Sequence, residues 1–269
     1  DSYSVSKYRK IFNAIFILGF FGFPFFVLVE RSLSTPTGYS FVYYKQILLE
    51  NSDARFSIFG TRRAIYNSLL WGTLAMVIAT VVGLIAAYLL TNKSKALAQL
   101  SGVFLLLPLG ASGVLLGFGI LISLNSGFLD FRSQWWIVPL AQGLLGIGIV
   151  ARITSNAIKK IDPSIRHAAS TLGASSLIIW RKVDYPIIAK SIIAGSAFSF
   201  ALALGEFGAT SFLVRPQRPT IPTTIFNLLG RPGSTTFGQA MALSVILAVI
   251  TWLVVSLLDR SGSLSTNDF

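Results

Sequence analysis

The chain has 269 residues, of which 53% are hydrophobic and only 12% charged, against the roughly 25% charged expected of a soluble domain. With 21 Phe this is the balance of a membrane protein, long enough for about six spans of ~20 residues. Cysteine is absent and there is a single His, which excludes disulfides, thiolate metal sites and multi-histidine metal sites; the formal charge of +12 reflects Lys and Arg beside the spans rather than nucleic-acid binding.

In chain order, the sequence starts at Asp1 rather than Met, as a trimmed chain or a piece of a longer polypeptide would. The first predicted span, residues 11–29, is Phe-rich, carries Pro24 as a kink or as the mark of its outer third, and follows Lys7, Arg9 and Lys10, which place the N-terminus on the cytoplasmic side. A polar connection over 30–63 contains a short amphipathic helix around Phe41–Leu49, expected at the outer interface with its tyrosines at headgroup level. Arg62 and Arg63 then stand beside the second span (64–90), against the positive-inside rule, and Asn67 reads as a polar group at the helix end. Lys93 and Lys95 mark a cytoplasmic turn.

The third span, 97–124, holds Pro108, Gly110, Gly113, Gly117 and Gly119. Gly113 and Gly117 are a small-xxx-small pair that admits a neighbouring helix closely, and Pro108 frees a carbonyl that must be satisfied inside protein or beside a water-filled cavity. Such a helix either lines a pathway or packs tightly. Asp130, Arg132 and the anchors Trp135 and Trp136 lead into the fourth span, 134–157, with Gly143, Gly146 and Gly148 repeating the close-packing theme. Arg152, Lys159, Lys160, Arg166, Arg181, Lys182 and Lys190 fix the following connection on the cytoplasmic side and close a six-span topology with both termini inside.

The fifth span, 187–213, puts Gly195, Ser199, Leu202, Glu206 and Thr210 on one helical face. An ionisable group such as Glu206 at membrane depth faces a cavity or a partner: its two readings are a structural hydrogen bond and a pathway or gating role, shared with Ser199, Thr210 and Pro108. Pro222 and Gly230 bracket a short outer helix, 237–258 is the sixth span, and 259–269 is expected to be a disordered tail. The chain thus divides into 1–63 (first span and outer connection), a core of 64–258 and the tail.

The stretch 162–186 is polar and cationic, with its own helix punctuation. Asp162 caps a helix with Pro163 at its first position, Gly173 suits a positive-φ ending, Ser175 or Ser176 caps a second helix, and Pro186 stops that helix or bends it into the fifth span. Two short helices at an angle make a knob for a partner to grip.

His167-Ala168-Ala169, Gly173-Ala174, Trp180, Val183 and Tyr185-Pro186 resemble the coupling ("EAA") loop of permease subunits of binding-protein-dependent ABC importers. The spacing fits without a gap, with His167 where Glu is usual and Tyr185 where Leu is usual. Gly205-Glu206-Phe207-Gly208-Ala209-Thr210, Pro219-Thr220-Ile221-Pro222 and Leu229-Gly230-Arg231-Pro232-Gly233 resemble the thiamine and ferric-iron branch, with sulfate, molybdate and polyamine permeases nearby. The resemblance, covering 64–258, implies an all-α membrane protein of the type I ABC importer permease kind, with six transmembrane helices and a cytoplasmic two-helix coupling loop. It implies a non-enzyme of the bacterial cytoplasmic membrane that forms half of a translocation pathway for a small solute such as thiamine or ferric iron.

It further implies an ABC ATPase dimer, which would hold the ATP and magnesium, a second permease copy or fused half, an extracytoplasmic binding protein, surrounding lipid, and no cofactor or metal on this chain. His167, Ala168, Ala169, Gly173, Ala174, Trp180 and Pro186 would couple to the ATPase, with Trp180 and Val183 packing the knob on the permease. Tyr43, Tyr44, Phe226, Arg215 and Arg218 are the candidates for touching the binding protein. No Gly-Lys pair occurs, so the chain has no P-loop of its own. The competing reading is an ion-coupled secondary transporter using Glu206.

Overall fold

The computed structural model describes residues 7–48, 60–91, 102, 110, 112–124, 131 and 134–258. Pro108, Lys93, Lys95, Asp130, Arg132 and the tail 259–269 lie outside the described residues.

Helix α1 (Lys7–Leu33) runs through Pro24. A two-residue hairpin, β1 (Ser34–Thr35) against β2 (Gly38–Tyr39), was not foreseen; it turns at Gly38 with φ 124° and leads into α2 (Val42–Leu48). Helix α3 (Thr61–Leu90) has 30 residues, a length of about 45 Å at 1.5 Å per residue. Then come α4 (Gly113–Ser123), α5 (Ile137–Lys159), α6 (Pro163–Thr171) and α7 (Ser176–Ile179). A π turn (Trp180–Asp184) joins α7 to α8 (Tyr185–Gly205), and the chain finishes with α9 (Gly208–Leu213), α10 (Ile221–Leu229) and α11 (Ser234–Leu258). Among the described residues, five helices are long and apolar enough to cross a membrane, and Gly113–Ser123 is a shorter apolar one.

The most extensive packing joins α3, α5 and α8, and small residues make it possible. A Cβ on Gly83 would lie 2.7 Å from Val150 Cβ, one on Gly195 would lie 3.1 Å from Val150 Cα, and one on Gly146 would collide with Ser199 Oγ. In lipid, where apolar surface gains little by leaving its surroundings, this backbone proximity supplies the dispersion contacts that hold helices together. Helix α11 packs against α1, α2, α8 and α10, while the Phe-rich face of α1 stays exposed, as a helix facing lipid can.

Three expectations need correcting. The fifth span is not continuous to residue 213: α8 ends at Gly205, and Glu206 is extended (φ −71°, ψ 113°) before α9 begins. The third span is not one run either, because Ser112 is extended (φ −63°, ψ 136°) and caps a new helix by accepting the Val114 N–H at 3.2 Å. Pro186 does not stop the second knob helix. It sits in the first turn of α8, where its missing N–H is cheap, and the ladder passes it through the π turn, with Tyr185 N–H donating to Trp180 O. The helical run Ser176–Gly205 is therefore unbroken and carries the knob directly into a span.

Candidate functional site

At one end of the bundle stands the knob. Asp162 Oδ1 accepts the Ser164 N–H at 2.8 Å, capping α6. That bond holds the Asp162 carboxyl below its usual range, so the charged cap persists above the ordinary carboxylate range and weakens only as pH falls through the depressed value. At the other end of α6, Gly173 adopts φ 80°. Its N–H donates to Ser170 O at 3.0 Å and the Ala174 N–H to Ala169 O at 3.1 Å, the two bonds of a Schellman ending. Ser175 is extended and opens α7 with its carbonyl, which accepts the Ile179 N–H at 2.9 Å. Neither α6 nor α7 buries a residue, and Leu172 is 89% and Leu177 73% exposed. Exposed leucines on a cationic surface are a place for a protein partner.

At its base, Arg166 Nε donates to Asp184 Oδ1 at 2.8 Å. Asp184 is only 7% exposed. Trp180 is half-buried and its ring centroid lies 5.6 Å from that of Tyr185. An apolar cluster of Ala87, Ile158, Ile161 and Ile188 joins α3, α5 and α8 just beneath.

Near the opposite end, the helix break at Glu206 packs onto α4. Glu206 Oε1 accepts the Ala209 N–H at 2.6 Å, and Glu206 O accepts from Thr210 Oγ1 at 2.7 Å. A Cβ on Gly113 would lie 2.6 Å from Glu206 Oε1, and one on Gly117 would lie 2.6 Å from Ala209 Cα. The close approach expected at Gly113 and Gly117 is thus made to α9. The carboxylate caps a short helix where the backbone leaves its ladder. Glu206→Ala is expected to remove that cap, worth about 1 kcal/mol, and to slow transport roughly fivefold. Glu206→Gln keeps an accepting oxygen and should transport at near the parent rate. Equal loss in both variants, read as initial uptake rates, would make the charge itself the requirement.

Beyond the break, the chain doubles back over the start of α3. Arg63 donates to Gln217 O at 3.3 Å, Asn67 Nδ2 to Pro219 O at 2.9 Å, and the Ile221 N–H to Ser68 Oγ at 2.8 Å. These bonds give Arg63 a structural reason to stand there. Two cavities open at this end: one of about 610 Å³ lined by Phe207, Ser211, Arg215, Phe226 and Arg231 among others, and one of about 480 Å³ lined by Arg63, Tyr66, Trp135 and Arg218 among others.

Residues 79–265 match the family model described as binding-protein-dependent transport system inner membrane component. The chain belongs to that family of ABC importer permeases. It is 30% identical over 255 residues, 92% of this chain and 91% of the other, to the 2-aminoethylphosphonate transport system permease protein PhnV of Salmonella paratyphi A. It is also 30% identical over 203 residues, 71% of this chain and 73% of the other, to the sulfate transport system permease protein CysT of Salmonella typhimurium. The fold matches the crystal structure of a bacterial ABC transporter involved in import of the acidic polysaccharide alginate, with TM-score 0.72 at 17% identity over 94% of this chain and 93% of that one.

As a permease subunit the chain is not an enzyme: hydrolysis belongs to a separate ATPase subunit. Membership also replaces the ion-coupled alternative. Of the knob residues singled out, His167, Ala168, Gly173 and Pro186 are exposed, and Ala169, Ala174, Trp180 and Val183 are half-buried.

The other candidates are scattered. Ser199 and Thr210 are buried between helices; with the helix broken at Glu206, they share no continuous stripe. Tyr43, expected at the outer surface, is 3% exposed because its ring fills the space over Gly238. The Tyr44 hydroxyl is 2.7 Å from Ser32 Oγ. Phe226, Arg215 and Arg218 are exposed at the end opposite the knob. Sequence reasoning missed the Arg166–Asp184 pair and the exposed leucines. Four apolar residues in a polar, cationic loop (Leu172, Leu177, Ile178, Ile179) were the available signal for the latter.

Proposed function

We propose that this permease forms half of an ATP-driven pathway for a small oxyanion delivered by an extracytoplasmic binding protein, with its knob seated in a cytoplasmic ATPase dimer and a second permease copy or half completing the path. The observation that carries the reading is the knob: a pair of short helices with no buried residue, held by caps at Asp162 and Gly173 and continuous with a span. A part so exposed and so well capped gains its packing from a partner. His167, Ala168, Ala169, Gly173, Ala174, Trp180 and Pro186 would form or support that contact, with Leu172 and Leu177 supplying its apolar area.

The seven cations of the knob connection support a cytoplasmic knob and both termini inside. Five arginines at the opposite end, Arg62, Arg63, Arg215, Arg218 and Arg231, run against that rule. Four of them line the two outer cavities, where a cationic mouth attracts an anion or the acidic rim of a binding protein. Two relatives named for 2-aminoethylphosphonate and sulfate favour an oxyanion over thiamine or ferric iron. Phe226, Arg215 and Arg218 are the contacts assigned to the binding protein; Tyr44 contributes at most its exposed edge, and Tyr43 none. Glu206 positions the break near this mouth.

The test is reconstitution in lipid with the ATPase and binding protein, reading ATP hydrolysis with 2-aminoethylphosphonate, sulfate, thiamine or ferric iron added. Stimulation by an oxyanion supports the proposal. Stimulation by thiamine or ferric iron alone overturns the substrate class, and no stimulation by any loaded binding protein overturns the coupling role.

A further inference from the structure

The knob presents a mechanical problem that its helices do not solve. A displacement imposed on α6 reaches the spans only if α6 is tied to them, yet neither α6 nor α7 buries a side chain in the core. Backbone ties exist at both ends of the knob, but the one at the C-terminal end of α6 runs through Gly173 at φ 80°, a turn rather than a strut. A side-chain tie to the root of α8 is made by Arg166 and Asp184, 2.8 Å across 18 residues of sequence.

Both ends of that bond are well placed. Arg166 lies in the first turn of α6, and Asp184 is the last residue of the π turn that feeds α8. Asp184 is buried, its side chain 9% exposed against 35% for Arg166. A buried carboxylate without a partner is costly, so the pair holds its geometry more firmly than a surface ion pair does. The Tyr88 hydroxyl, near the end of α3, is buried beside Trp180, Asp184 and Arg166. Three elements therefore converge on one charged contact: the first knob helix, the root of α8 and the end of α3. The π turn adds a further feature, since π turns are local departures from the α ladder that recur at functional positions.

We propose that Arg166 and Asp184 are positioning residues that form the strut carrying knob movement into α8, so that the pair is needed for coupling and not for docking. The inference rests on the knob being the ATPase contact. It predicts an asymmetry. Arg166→Gln strands the buried Asp184, whereas Asp184→Asn leaves Arg166 free to reach water, so the arginine variant is the more damaging. Removing both charges relieves the stranded carboxylate and recovers part of the loss.

The experiment uses the full complex in lipid with Arg166→Gln, Asp184→Asn, the double variant Arg166→Gln/Asp184→Asn, and the exchange Arg166→Asp/Asp184→Arg. Three readouts are taken: co-purification with the ATPase, basal hydrolysis, and binding-protein-stimulated hydrolysis. The expected result is co-purification and basal hydrolysis within about twofold of the parent in all variants, with stimulated hydrolysis down about tenfold in Arg166→Gln, less in Asp184→Asn, and partly recovered in the double variant or the exchange. Stimulated hydrolysis near the parent level in both single variants overturns the strut while leaving the coupling reading intact. Loss of co-purification in step with stimulation also overturns it, by making the pair a docking element. Failure of the parent chain to associate with the ATPase overturns the coupling reading and the strut together.

Discussion

Gly173→Val is expected to lose most binding-protein-stimulated ATP hydrolysis, while Gly173→Asn keeps it. The reason lies in the backbone. At φ 80° an L side chain is strained, by about 1–2 kcal/mol for an ordinary residue and with no relief for a β-branched one. Asn tolerates the left-handed region better than other residues with a Cβ. Among the described residues, nothing lies within 4 Å of a Cβ built at this position, so the penalty is conformational and not a collision. It falls on a helix with little else to hold it: α6 has nine residues and none buried, and isolated helices shorter than about 12–15 residues are marginal in water.

A loss of about 1–2 kcal/mol there shifts the folded-to-unfolded ratio of so marginal a helix roughly 5- to 30-fold. Stimulated hydrolysis in the reconstituted complex should fall by about that factor for Val and stay near the parent level for Asn. Gly173→Arg combines the same strain with a bulky cation on the docking face and should lose co-purification as well. If Val and Asn behave alike, the Schellman ending is not what the ATPase recognises.

The knob was legible because its determinants are local. A cap at Asp162, a proline at the next position and a glycine at a helix end act through bonds between residues two to five apart, and such bonds leave a pattern in the sequence. The spans were legible for a similar reason: apolar composition over some twenty residues is a local property. The failures share the opposite character. Glu206 was read as a residue within a continuous helix because 187–213 is predominantly apolar and long enough to span, and composition does not record a backbone turning extended at one position. The break packs against Gly113 and Gly117, which approach Glu206 and Ala209 from about ninety residues away in sequence. Tyr43 looked like an interfacial tyrosine and is buried because Gly238 leaves room for its ring. Asp184 carries no local pattern in the sequence, and its distance to Arg166 is what distinguishes it.

Gly117→Ala is expected to reduce transport at least tenfold, with the complex still assembling, because the added methyl has nowhere to go. Its Cβ would lie 2.6 Å from Ala209 Cα and 2.7 Å from Ala209 O. Both are backbone atoms, which cannot rotate aside as a side chain does. Helix α9 must therefore move off α4, and the Ala209 N–H moves with it, away from the Glu206 carboxylate that caps it at 2.6 Å. Overpacking of a well-fitted contact costs about 1–3 kcal/mol, and here it falls where two helices are already interrupted, at Ser112 and at Glu206.

The control sits two residues away on the same helix. Gly119 has nothing among the described residues within 4 Å of a built Cβ, so Gly119→Ala should transport like the parent while changing membrane hydropathy and helix propensity by the same amount. Uptake into proteoliposomes, with basal hydrolysis as the measure of an intact knob, separates the two. If Gly119→Ala is as impaired as Gly117→Ala, helix α4 senses its glycines through flexibility and not through the fit against α9. If Gly117→Ala transports normally, the α4–α9 contact is not part of the moving pathway. Loss in Gly117→Ala alone, with hydrolysis retained, would place the step that admits solute at the Glu206 break, at the far end of the bundle from the part that receives the force.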